Sequence, residues 1–146
     1  MDFEDYVNFA NEHPICSVAT VDGDQPQLRI VGMWFADKDG FCFSTQTYKP
    51  FYRQLSEHPK VALCFYAPPA VPLGQGGSMD MGTLMRVTGT AEFFSDESMK
   101  ERLLTERPFL RPFADNIVMF RVKNGEAWFW TFADAGRESA IERVRF

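Results

Sequence analysis

The most constraining feature of the chain is its punctuation: short apolar runs are separated by compact clusters of Gly, Asp and Asn. CSVATV stops at Asp22-Gly23-Asp24, a second run goes from about Gln27 to Phe35, and Asp37-Lys38-Asp39-Gly40 leads into FCFSTQ. Gly, Asp and Asn supply the backbone angles and local hydrogen bonds that turns need, so three such runs in succession argue for an antiparallel meander. KVALCFYA, Thr83 to Phe94, NIVMFRVK and AWFWTF continue the pattern. Asn124-Gly125 between the last two runs reads as a hairpin turn. The expectation is about six good strands.

Helical spacing interrupts this pattern in three places. Phe3, Tyr6, Val7 and Ala10 share one face of a segment from Asp2 to Glu12. Phe51 and Leu55 share a face between Thr47 and Glu57, with Thr47 as candidate cap and Pro50 tolerated in the first turn. Asp96 caps a third helix carrying Met99, Leu103 and Leu104. His13-Pro14 and His58-Pro59 end the first two, because proline cannot continue a helix; this explains the repeated EHP without an internal repeat. Pro68 to Gly82 is a long Pro/Gly-rich loop of the kind that serves as a lid or partner contact. The tail from Asp134 to Phe146 is polar and reads as loop, short strand or partner contact.

Several runs, VALCFYA and FCFSTQ among them, are apolar on both faces, as strands of a closed barrel with covered outer surfaces are. The fold class is therefore mainly β: a small barrel with two to three short peripheral helices, in one domain spanning residues 1–146. Aromatic residues make up 15% of the chain, which suits either a small barrel core or a pocket for a flat ring.

A net charge of −5 argues against general nucleic-acid binding, which needs a basic face. No apolar run approaches the roughly 20 residues of a membrane helix, and the acidic amphipathic N-terminus has no signal core, so the expected location is cytoplasmic. Cys16, Cys42 and Cys64 are too scattered for a disulfide framework or zinc knuckle and read as structural thiols. The two histidines both stand at helix ends, and no cluster has metal-ligand spacing. GxSxG, GxGxxG and a P-loop lysine are absent, and GQGG at Gly74 to Gly77 opens no helix. Any reaction here belongs to a bound cofactor rather than to side-chain acid–base or covalent chemistry.

One stretch carries a constellation. Arg29 lies on one strand, the next ends in Ser44-Thr45-Gln46, and a helix then opens with Lys49 nearby. Helix-start amides and a lysine favour anions, and the hydroxyls of Ser44, Thr45 and Thr47 can donate to phosphate or polyol oxygens. The same residues are also ordinary caps, strand polar groups and a surface lysine, so spacing alone leaves both readings open.

The order Arg-Ile-Val, then F-x-F-S-T, then Lys, then a helix ending HPKVAL, resembles the FMN-binding split barrels related to pyridoxamine 5′-phosphate oxidase. MRVTGTAEFF (Met85 to Phe94) resembles that family's V-x-G-x-A-E strand, and GEAWFWTF (Gly125 to Phe132) its closing strand. The likeness runs from Ile15 to Phe132. It implies a homodimer with FMN at the subunit interface. Arg29, Ile30 and Val31 would line the flavin; Ser44, Thr45 and Gln46 would meet the ring edge or ribityl chain, and Lys49 the phosphate. Trp128 or Trp130 and Arg86 would reach the flavin from the partner subunit. Where the family often has a second basic residue before the lysine, this chain has Tyr48. Its C-terminus, ADAGRESAIERVRF, lacks the Arg- and Trp-containing segment that grips the vitamin phosphate in the true oxidases. The resemblance therefore implies a flavin-dependent oxidoreductase acting on another small molecule, like the general-stress-type and nitroimidazole-resistance-type members. A non-catalytic FMN-binding redox buffer, a haem- or deazaflavin-binding relative and a cofactor-free module are the alternatives.

Overall fold

In the computed structural model, which describes residues 1–146, all strands join one antiparallel sheet. They are β1 (Ile15–Asp22), β2 (Gln25–Gly32), β3 (Phe35–Asp37), β4 (Gly40–Gln46), β5 (Lys60–Ala67), β6 (Thr83–Phe94), β7 (Ile117–Trp130) and β8 (Val144–Arg145). The order is β2-β1-β5-β6-β7-β4-β3, with β8 added to β7. The two edges, β2 and β3, are consecutive in sequence and joined only by Met33 and Trp34. With only two residues between them, Gly32 and Phe35 lie at most about 11 Å apart, so the edges must come together and the sheet must roll into a barrel. Met33, fully buried, makes the seam: its N–H donates to the Pro14 carbonyl at 2.9 Å, and the Trp34 N–H to the Cys42 carbonyl at 3.0 Å.

Three helices decorate the barrel: α1 (Phe3–Glu12), α2 (Pro50–Glu57) and α3 (Glu97–Glu106). Strand alternation turns Cys16 and Val18 of β1 inward, together with Leu63, Phe65, Met85, Val87, Phe43 and Phe120, to form the main core. A smaller cluster of Leu103, Leu104, Leu110, Ile117 and Met119 lies under α3. On α1, the Asn11 side chain both donates to and accepts from the backbone of Ala36, closing the open edge of β3.

The expected hairpin at Asn124-Gly125 is instead a bulge inside the continuous strand β7. Thr88 faces Glu126 and Thr90 faces Lys123, so Gly89 opposes two residues. Asn124 takes the left-handed conformation (φ 54°), and a Cβ on Gly125 would run into the Thr88 carbonyl. Asn-Gly supplies this geometry as readily as it supplies a turn. Eight strands form where about six were expected: of the seven apolar runs the last two fuse into β7, the second splits at Met33-Trp34, and Val144–Arg145 adds a strand by pairing with Glu126 and Ala127. All three cysteines are free; burial pushes the Cys16 thiol up to about 12 and Cys42 to about 11, as expected of structural thiols. No helix is long and apolar enough to cross a membrane.

Candidate anion site at the start of the second helix

Arg29 sits opposite Val18 in the β1–β2 register, so its side chain points to the inner side of the sheet, where α2 packs. Its Nη1 donates to Thr20 Oγ1 at 2.6 Å and to the Val18 carbonyl at 3.3 Å, and its Nη2 donates to Gln54 Oε1 at 2.6 Å. The Thr20 hydroxyl donates to the same Gln54 oxygen at 2.6 Å. The guanidinium lies 4.5 Å from the ring centroid of Phe51, in the first turn of α2. Burial holds its pKa below the ordinary arginine value. Arg29 is thus no solvated strand residue: it is fixed against Phe51 and Gln54 of α2, the helix that Lys49 caps.

The N-terminus of α2 differs from those of its two neighbours. Asp2 caps α1 with Glu4 and Asp5 in the first turn, and Asp96 caps α3 with Glu97 behind it. At α2 the cap position is Lys49, no side chain caps the helix, and no acid occupies the first turn. Thr47, the expected cap, bonds Asn116 instead, through its N–H to the carbonyl at 2.9 Å and its hydroxyl to Oδ1 at 3.2 Å. The positive end of the helix dipole and the lysine charge therefore add without a counter-charge. Lys49 has no carboxylate partner, and among the arginines only Arg29 and Arg107 lack one.

At the end of β4, Thr45 and Gln46 are buried, 3% and 7% exposed, and Thr45 Oγ1 and Gln46 Oε1 have no hydrogen-bond partner. Buried polar atoms are almost always paired, so each of these two oxygens is free to accept a hydrogen bond from a ligand, as the unpaired Trp34 and Trp128 indole N–H groups are free to donate one. Alternation puts Thr45 on one face and Ser44 with Gln46 on the other, so the three do not converge on one point. Ile30 faces outward and is 72% exposed, whereas Val31 packs against the core.

Trp128 lies elsewhere. Three strands separate β7 from β2, and Trp128 is buried at 4% exposure beneath Arg86 and Arg143, its Nε1–H unpaired. Arg86 bonds Glu138 at 2.6 Å. Trp130, Arg86 and Cys64 border an open cavity of about 300 Å³ with Met81, from the end of the Pro68 to Gly82 loop. Within one chain, then, Arg29 and Lys49 are brought to α2, and Trp128, Trp130 and Arg86 are not. The sequence reading missed Thr20 and Gln54. Each is a polar residue at an inward position, Thr20 in step with Cys16 and Val18, Gln54 on the helix face of Phe51 and Leu55, and that was the available signal.

Residues 3–131 match the family model described as pyridoxamine 5′-phosphate oxidase. Among solved structures, a NimC/NimA family protein from Clostridium acetobutylicum is 22% identical with a TM-score of 0.70, covering 88% of this chain and 85% of its own. General Stress Protein 26 from Bacillus anthracis is 12% identical with a TM-score of 0.70 over 100% of both chains. HutZ, the haem storage protein of Vibrio cholerae, is 13% identical with a TM-score of 0.62, covering 84% of this chain and 89% of its own. No curated protein matches in sequence.

Proposed function

The chain belongs to the pyridoxamine 5′-phosphate oxidase family, and from that premise we propose that it binds FMN and works as a flavin-dependent oxidoreductase. The observation that carries this reading is the start of α2: two cations without counter-charge, Arg29 and Lys49, beside two buried polar atoms without partners, in a chain of net charge −5. An acidic protein that keeps both cations unpaired at one helix end has a fitting receptor for a phosphate monoester.

In this reading Lys49, the Phe51 N–H at the start of α2 and Arg29 hold the phosphate. Ser44 and Gln46, which share one face of β4, meet the ribityl hydroxyls, Thr45 takes a polar group on the opposite face, and Ile30 and Val31 line the ring largely through their backbone groups. The bound isoalloxazine supplies hydride and electron acceptance, while the protein binds and orients it and limits water. The rest of the ring site comes from a second copy. Leu28 and Ile30 lie on the same outer sheet face as Ala19 and Ser17, with Ile15 and Tyr66 in line. All four large side chains are exposed, Leu28 and Ile30 at 72%, an apolar surface of the kind that subunit contacts cover. The homodimer so formed would bring Trp128 to the flavin of its partner.

The test is the absorption spectrum of purified protein before and after adding FMN, with Lys49→Ala alongside. A flavin spectrum that stays with the protein, with affinity on the order of tenfold weaker in the variant, supports the assignment. No retained flavin at micromolar concentrations overturns it. Bleaching of the bound flavin by a nicotinamide donor tests the oxidoreductase part separately.

A further inference from the structure

Arg29 and Arg107 are the arginines without carboxylate partners, and they solve the problem differently. Arg107 spends its fork on backbone, donating to the carbonyls of Gly32 at 3.3 Å and Met33 at 2.8 Å, where it ties the segment after α3 to the barrel seam. Arg29 is held by a closed ring of neutral side chains: guanidinium to Thr20 hydroxyl, hydroxyl to Gln54 amide oxygen, and guanidinium to that same oxygen. Thr20 and Gln54 are 2% and 4% exposed, so this is interior construction rather than a surface contact.

A glutamate at position 54 would occupy the same volume and bind the guanidinium more strongly, since charge-assisted hydrogen bonds are about twice as strong as neutral ones. The chain has acids to spare, yet those nearest α2 are turned away. Arg53, on the same helix, takes both oxygens of Asp22 at 3.0 Å and also reaches Glu57 at 3.3 Å. Arg53 is thereby neutralised and Arg29 is not. The Phe51 ring under the Arg29 fork keeps water from one face and fixes its plane. Gln54 sits on the helix that Lys49 opens, so the bond from Gln54 to Arg29 also sets the spacing between the two unpaired cations.

We infer that Gln54 and Thr20 are positioning residues that lock Arg29 in place without neutralising it, reserving its charge for the phosphate of the cofactor. This rests on the FMN reading above, and it assigns a role to two residues that do not themselves touch the ligand. It requires that recognition of the phosphate, and not of the ring, depends on residue 54 being uncharged.

The experiment compares FMN with riboflavin, which has the same ring and ribityl chain and no phosphate. Affinities are measured by quenching of flavin fluorescence for the wild type, Gln54→Glu and Thr20→Val, with thermal unfolding of each apoprotein. Gln54→Glu is expected to melt no lower than the wild type and to bind riboflavin within about twofold of it. Its preference for FMN over riboflavin is expected to fall on the order of tenfold, because the new carboxylate takes the place of the phosphate. Thr20→Val, which adds no charge, is expected to lower the preference by a smaller factor. A Gln54→Glu protein that keeps the wild-type preference overturns the inference. So does a Gln54→Glu protein that fails to fold while Thr20→Val leaves the preference unchanged. A wild type that binds both flavins equally overturns it as well, with the flavin reading intact; a wild type that binds neither overturns the flavin reading itself, and the inference with it.

Discussion

Two corners of the molecule are built from the same parts and arranged to opposite effect. In each, an arginine fork lies on an aromatic face: Arg29 on Phe51 at 4.5 Å, and Arg86 on Trp128 at 5.2 Å, with Arg143 also on Trp128 at 4.1 Å. At the Trp128 corner every arginine has an acid, Arg86 with Glu138 and both Arg143 and Arg145 with Glu126. At the α2 corner the acids are bound to Arg53, and Arg29 has only dipoles. The first corner is electrostatically finished and the second is not. Arg29 is partly buried, where an unpaired cation attracts an anion more strongly than it would at the open surface. The difference teaches that arginine content and aromatic stacking say little about ligands; what matters is which cations the fold declines to neutralise.

The sharpest way to break this comparison is to remove each arginine in turn. Arg29→Met is expected to cost about 2 kcal/mol of stability, because Thr20 Oγ1 loses its donor and Gln54 Oε1 keeps only the Thr20 hydroxyl while both stay buried. Arg86→Met, at a half-exposed pair, is expected to cost at most about 1 kcal/mol. Chemical denaturation of the apoproteins measures both, and equal costs would erase the distinction between the corners. The next effect is smaller and has the opposite sign. Thr45→Val deletes a buried hydroxyl with no partner, so the apoprotein is expected to gain up to about 1 kcal/mol while FMN binding weakens severalfold. A loss of apo stability would mean that Thr45 Oγ1 is satisfied within the chain, by water for instance, and that no polar group is missing there.

Much of the fold was legible because its signals are local. The β1–β2 and β3–β4 hairpins follow from the turns at Asp22-Gly23 and Asp39-Gly40, although the expected three-strand meander is divided, with β2 and β3 at opposite ends of the strand order; the three helices follow from apolar spacing and from acids at two of the caps. Asn124-Gly125 misled for a physical reason: the left-handed backbone it supplies serves a bulge as well as a hairpin, and only the pairing of both halves of β7 with β6 decides between them. Thr47 was a reasonable cap by type, but Asn116, distant in sequence, claims it. Of the site, the strand and helix bearing Arg29 and Lys49 were readable, while the Arg29–Thr20–Gln54 ring was not, since nothing in a sequence says which inward polar residues will meet. The proposed contribution of Trp128 lies beyond any one-chain pattern, because its strand β7 does not pair with β2.

The smallest effect is also the cleanest control. Glu138 stands on a short 3₁₀ turn, Glu138–Ala140, and its bond to Arg86 at 2.6 Å is the closest ion pair in the molecule. Proximity alone would suggest importance. Both side chains are more than two-fifths exposed, however, so water screens the attraction and competes for each charge, and ordering two long side chains costs entropy. Glu138→Gln is therefore expected to change stability by no more than about 0.5 kcal/mol in low salt and by less in high salt. The contrast with position 54 lies in the sign of the charge change. There a Gln→Glu exchange adds a carboxylate to an unpaired cation and is expected to lower phosphate preference on the order of tenfold; here Glu→Gln removes one from a matched pair and is expected to leave FMN preference where it was. If Glu138→Gln shifted the preference for FMN over riboflavin as strongly as Gln54→Glu, Arg86 would be a phosphate ligand in its own right. The two corners would then be halves of one site rather than a matched and an unmatched pair.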